Sequence, residues 1–91
     1  MAEPVEEYVI TPHAAFEMER RNVTEATVRD VLAAPDQRHA VRHGRDVLQS
    51  RAQFAGKPYL VRVFVDVDRN PAEVVTVYRT GRIAKYWRDA L

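Results

Sequence analysis

The chain has no cysteine, which excludes a disulfide framework and any metal site built on thiolates. It has no apolar run near the ~18 residues that a membrane-crossing helix needs. It carries no Walker loop, dinucleotide fingerprint or serine nucleophile elbow, so none of those chemistries is indicated. Repeats, low-complexity segments and interdomain linkers are missing too. Met1–Glu7 is short and acidic rather than basic and then apolar. No secretory leader is therefore expected, and a soluble cytoplasmic protein is the expectation. Charge of one sign is also lacking, for fourteen bases against thirteen acids leave a net charge of +1.

What is present points to one folded unit. Ninety-one residues, 46% of them hydrophobic, make a single domain over 1–91 with a modest core. The small net charge conceals a split. Residues 1–30 carry seven acids against Arg20, Arg21 and Arg29, whereas residues 31–91 carry eleven bases against six acids. The second part can therefore face an anion while the first does not. Twelve of the fourteen bases are arginine, whose fork suits bidentate phosphate contacts. A GC-rich genome produces the same bias without function.

The stretch Ile10–Thr24, ITPHAAFEMERRNVT, reads as a capped helix. Thr11 is a good N-cap, and Pro12 suits the first helical position, where no backbone N–H is needed. His13 then falls in the first turn, beside unpaired N–H groups and the positive end of the helix dipole. That setting favours a neutral imidazole able to accept a proton, and the N–H groups can hold a phosphate oxygen. A partly exposed residue without function reads equally well there. The helix is expected over Pro12–Arg21, with Asn22 as a left-handed turn residue. Thr24 caps a second helix carrying Val28, Val31 and Leu32 at core spacing, ended by Ala34–Pro35.

His13, Ala14, Met18, Arg21, Val23 and Thr24 resemble the opening pattern HAxxRMxxRGIS of the bacterial family called domain of unknown function 4258. Glu17 stands where that pattern has arginine, and Asn22 where it has glycine. TVYRT (Thr76–Thr80) and KYW (Lys85–Trp87) are similar to the family's last strand and aromatic tail. The resemblance implies likeness to toxins of the RelE, ParE and BrnT type, a superfamily rich in metal-independent ribonucleases.

Beyond Pro35 the apolar period becomes alternating. Gln37–His43 and Asp46–Phe54 flank Gly44–Arg45, read as a two-residue hairpin loop. Tyr59–Asp68 is the clearest strand, and Glu73–Thr80 follows Asn70–Pro71. The expected fold is α+β (ααββββ, RelE/BrnT-like), with two N-terminal helices packed on one face of a four-stranded antiparallel sheet. Residues 1–10 form a lead-in, with Tyr8–Ile10 able to add a short extended segment, and 82–91 a basic and aromatic tail. Taking Ala55–Pro58 and Arg69–Ala72 as four-residue loops places Arg38 opposite Arg51, Arg51 opposite Arg62, and Arg62 opposite Arg79. The same registers put Val41, Leu48, Phe54, Val63, Val65, Val67 and Tyr78 under the helices.

Like charges stacked across strands destabilise a sheet unless an anion lies between them, and a phosphodiester is the natural anion. The expected function is metal-independent cleavage of RNA by attack of the 2′-hydroxyl on the adjacent phosphorus. His13 would be base or acid, and Arg51, Arg62 and Arg79 would hold the scissile phosphate. Arg38, Arg82, Lys85, Tyr86 and Arg88 would bind RNA, mixing cations with an aromatic ring. His39 and His43 flank Val41 but have no third ligand at metal spacing, so no metal or other cofactor is expected. The alternative is a non-catalytic module that binds RNA or a protein, including a toxin that blocks its target. RNA is the expected partner, together with a cognate antitoxin whose acidic segment would cover the basic face.

Overall fold

Two threonines start the first two helices. In the computed structural model, which describes residues 2–89, Thr11 accepts a hydrogen bond from the Ala14 N–H at 3.2 Å. It thereby caps α1 (Pro12–Arg20). Thr24 accepts one from the Thr27 N–H at 3.1 Å and caps α2 (Glu25–Ala33). Each cap satisfies an N–H that the first helical turn leaves without a partner. Asn22 takes φ 57° between the helices, a left-handed conformation that asparagine tolerates.

The strands are β1 (Tyr8–Ile10), β2 (Gln37–Arg42), β3 (Arg45–Phe54), β4 (Lys57–Asp66) and β5 (Ala72–Thr80), followed by the short helix α3 (Ile83–Tyr86). They form one sheet in the order β1-β5-β4-β3-β2. Strands β2 to β5 pair antiparallel, whereas β1 runs parallel to β5, with Val9 opposite Glu73. The expected four-stranded antiparallel sheet under two helices is thus corrected to a five-stranded mixed sheet with three helices. The fifth strand escapes a periodicity reading because three residues hold too little alternation, and its partner lies more than sixty residues away. Residues 8–10, read as able to add a short extended segment, form the edge strand β1 of the sheet. Met1, Ala90 and Leu91, the ends of the expected lead-in and tail, lie outside the described residues.

Ala14 and Met18 of α1 and Val28, Val31 and Leu32 of α2 pack with Leu48, Val61, Val63, Val65 and Val77 on one side of the sheet. The apolar spacing is i, i+4 on α1 and i, i+3, i+4 on α2, as one-sided burial requires. No helix among the described residues is long and apolar enough to cross a membrane.

Loop lengths set the registers, and here they differ from the reading above. His43–Gly44, not Gly44–Arg45, joins β2 to β3, for Arg42 pairs with Arg45. Ala55–Gly56 alone joins β3 to β4, with φ of 53° and 78°. Positive φ at both central residues makes this tight hairpin, although alanine there announces nothing of the kind. The arginine row is therefore overturned. Arg38 pairs with Leu48, Arg51 with Leu60, and Arg79 with Val61. Arg62 lies between Gln49 and Tyr78. A shift of one residue between β4 and β5 moves Tyr78 off the helix side and Arg79 onto it. Val41 is 48% exposed rather than under the helices.

Candidate functional site: a polar row beneath the C-terminal segment

The four residues that do line up across the sheet are Gln37, Gln49, Arg62 and Tyr78, one from each of β2 to β5. They occupy the face opposite α1 and α2. Gln49 is fully buried, while Gln37 and Arg62 are 7% and 8% exposed. The Gln49 amide makes a bond with every atom it can offer. Its Nε2 donates to Gln37 Oε1 at 2.8 Å and to the Tyr86 carbonyl at 3.1 Å. Its Oε1 accepts from Arg62 Nε at 2.8 Å. Arg62 Nη1 then donates to the Tyr78 hydroxyl at 2.7 Å.

The segment after β5 lies across this row. Gln37 ties it down twice, donating to the Arg88 carbonyl and accepting from the Arg88 N–H. The Arg51 guanidinium lies 3.9 Å from the Trp87 ring centroid. Arg62 sits 4.3 Å from the Tyr86 ring and 5.2 Å from that of Phe64. Arg62 has no carboxylate partner among the described residues; its acceptors are an amide and a phenol. A nearly buried cation held only by neutral groups is costly, since desolvation of a charge runs to several kcal/mol.

More positive charge gathers around it. The Arg21 guanidinium lies 5.8 Å from the Tyr78 ring, at the same distance as that of Arg62. Lys85 Nζ is 5.3 Å from the Tyr86 ring. Burial acts to raise the Tyr86 phenol, but the charge of Lys85, the neighbouring Tyr78 hydroxyl and Arg62 together bring it below its ordinary value. His39 shares this face with Val47 and Phe64, and its Nδ1 is buried without a hydrogen-bond partner among the described residues. Burial, then Arg88 and Arg62, hold His39 below the usual imidazole range, with Asp46 opposing. A neutral imidazole next to cations is equipped to accept a proton.

The residues singled out in the sequence are scattered over both sides of the sheet. His13 is exposed in the first turn of α1, about 12 Å along the helix axis from Arg21. Glu17, one turn on, pairs with Arg20 at 3.0 Å and Arg21 at 3.1 Å, and the hydrogen bond from Arg21 leads in lowering its carboxyl. Arg79 lies on the helix side, donating to the Arg21 carbonyl and resting 4.3 Å from the Phe54 ring. Arg38 is held by Asp46 at 2.8 Å. Arg51, Arg62, Tyr86 and Arg88 do meet, beneath and within the C-terminal segment, with Lys85 beside Tyr86. Arg82 stands at the start of α3. No group of three metal-ligating side chains occurs among the described residues.

Sequence reasoning missed Gln37, Gln49, Tyr78 and Arg21. The only signal for Gln49 was weak: a polar residue directly after the apolar pair Val47–Leu48. None existed for Tyr78, whose side of the sheet depends on the register. A profile of the family described as Domain of unknown function (DUF4258) matches residues 10–79, from the end of β1 to the penultimate residue of β5. No curated protein and no solved structure matches the chain.

Proposed function

The chain belongs to the family of the domain of unknown function DUF4258, and on that premise we propose that it binds single-stranded RNA on the sheet face beneath its C-terminal segment. The observation that carries this reading is Arg62, buried with two neutral acceptors and no carboxylate. A phosphodiester oxygen supplies the missing negative charge, and Arg21 and Lys85 extend the cationic path. Tyr86 and Trp87 offer rings on which bases stack, the usual way proteins hold unpaired strands.

The test is fluorescence anisotropy of a labelled single-stranded RNA of about ten nucleotides, titrated at several salt concentrations. Binding is expected to weaken linearly in log–log form as salt rises. Arg62→Gln, checked for folding by circular dichroism, should weaken it at least tenfold. Undiminished binding by that variant, or no binding at the lowest salt, sinks the reading.

A second reading has its own support in His39. An unpartnered neutral imidazole close to Arg62 and Arg88 could take the proton of a 2′-hydroxyl as its oxygen attacks phosphorus. The leaving 5′-oxygen would receive a proton from a second group, leaving a 2′,3′-cyclic phosphate. That chemistry would make the chain a metal-independent endoribonuclease of toxin type. His13, standing apart on α1, remains the other candidate for the base. RNA incubated in EDTA with wild type, His13→Ala and His39→Ala separates them: the variant that loses cleavage identifies the base, and no cleavage by wild type leaves a binding module. An acidic segment of an antitoxin would cover the same cations and compete with RNA.

A further inference from the structure

We propose that the cavity beside α3 is a guanine-binding pocket, a base-specific subsite that rests on the RNA reading above. The cavity has a volume of about 460 Å³ and is lined by Arg51, Pro58, Ile83, Ala84, Trp87 and Asp89. Sites of roughly 300–1,000 Å³ hold small ligands, so this one accommodates a base with part of its sugar.

Four of the six lining residues present apolar or aromatic walls. The two remaining groups are opposite in character. The Arg51 fork is held against the Trp87 ring; its backbone N–H donates to Asp36, while its side-chain N–H groups have no acceptor among the described residues. Asp89 supplies a carboxylate that forms no ion pair with Arg51. The pocket is therefore lined by an arginine and a carboxylate that, among the described residues, do not satisfy each other. Guanine answers both, with acceptors at O6 and N7 and donors at N1–H and the 2-amino group. Adenine has no acceptor at its 6-position. Cytosine and uracil lack the adjacent ring N–H and amino pair that a carboxylate receives through two parallel bonds. Asp89 also repels phosphate, so the pocket takes a base and leaves the backbone to Arg62.

The experiment uses the chain's single tryptophan. Trp87 fluorescence is titrated with guanosine, adenosine, cytidine and uridine, which carry no phosphate, and in parallel with short RNAs. Guanosine is expected to quench at about tenfold lower concentration than the other three, as one bidentate pairing implies. Asp89→Asn should bring guanosine to within about twofold of uridine. Equal quenching by all four nucleosides, or an unchanged guanosine preference in Asp89→Asn, overturns the pocket. Because nucleosides report the pocket and oligonucleotides the phosphate path, guanosine selectivity without RNA binding overturns only the RNA reading. RNA binding without guanosine selectivity overturns only the pocket.

Discussion

Replacing Gln49 with leucine removes the middle of the polar row while keeping a side chain of similar volume. Its consequences can be counted from its partners. Arg62 Nε loses its only acceptor, and a hydrogen bond to a charged group is worth about 1.5–3 kcal/mol. Gln37 Oε1 and the Tyr86 carbonyl each lose a neutral bond, at about 1 kcal/mol apiece. The expected loss is about 3–5 kcal/mol, a large fraction of the roughly 5–15 kcal/mol that holds a domain together. On a chain of this size it corresponds to a fall in Tm on the order of 15–30 °C. Urea unfolding checks it, followed by circular dichroism for the sheet and by Trp87 fluorescence for the C-terminal segment. The Trp87 midpoint should fall at least as far as the sheet's, because Gln49 binds that segment directly. Gln53→Leu, an exposed position on the same strand, is the control and should change stability by less than about 0.5 kcal/mol. A Gln49→Leu loss below about 1 kcal/mol, or one equal to the control, would refute the claim that the row is a satisfied network.

The lowered pKa of His39 makes stability fall on mild acidification, because the unfolded chain takes up its proton first as pH drops through the ordinary imidazole value of 6.5. Urea midpoints at pH 7.5 and 5.5 should converge in His39→Gln; an unchanged difference argues against it. Asp66, lowered chiefly by its hydrogen bond from Arg45, keeps its contribution above its unfolded value and loses it as pH falls below 3.8 toward the folded one. The two effects therefore separate on the pH axis, and Asp66→Asn should flatten only the acid limb of a stability–pH curve. Gly44→Ala forces a side chain onto a residue at φ +82°, with its Cβ 2.5 Å from Asp68 Oδ2. A loss of about 1 kcal/mol or more in urea unfolding is expected, and a neutral result would show that the turn relaxes.

The local chemistry of the helices could be read from residues because it is short-range. Thr11 with Pro12, Thr24, and the left-handed Asn22 act within four positions of themselves. The sheet could not, since its registers hang on turns whose cues are weak. Ala55 adopts a conformation alanine avoids, and that one residue converts an expected four-residue loop into two. A separate one-residue slip between β4 and β5, where the pairing is irregular between Phe64 and Val65, moves side chains from one face to the other. Arg79 moves beneath the helices, and Tyr78 leaves them to join Arg62. The site shares this fate. Arg62 was recognisable as a cation on a strand, but its lack of a carboxylate partner among the described residues is a three-dimensional fact. Tyr8–Ile10 shows the same limit at the edge, where three residues become a strand only because Ala72–Val74 lies alongside.

The strand order carries a consequence for the way the chain is assembled. β1 and β2 are consecutive strands, yet they form the two outer edges of the sheet. The helices between them must carry the chain across four strand spacings, about 19 Å. During synthesis the N-terminal third, acidic and already helical in tendency, waits as an unclosed arch until residues 72–74 arrive to receive β1. Closure thus joins the first strand made to the last, a contact of long sequence separation that is slow to form. The polar row needs β2 to β5 but not β1, so it is complete once β5 has paired with β4. The surface proposed to hold RNA thus waits on β5, the last strand made, and not on the closure of the first.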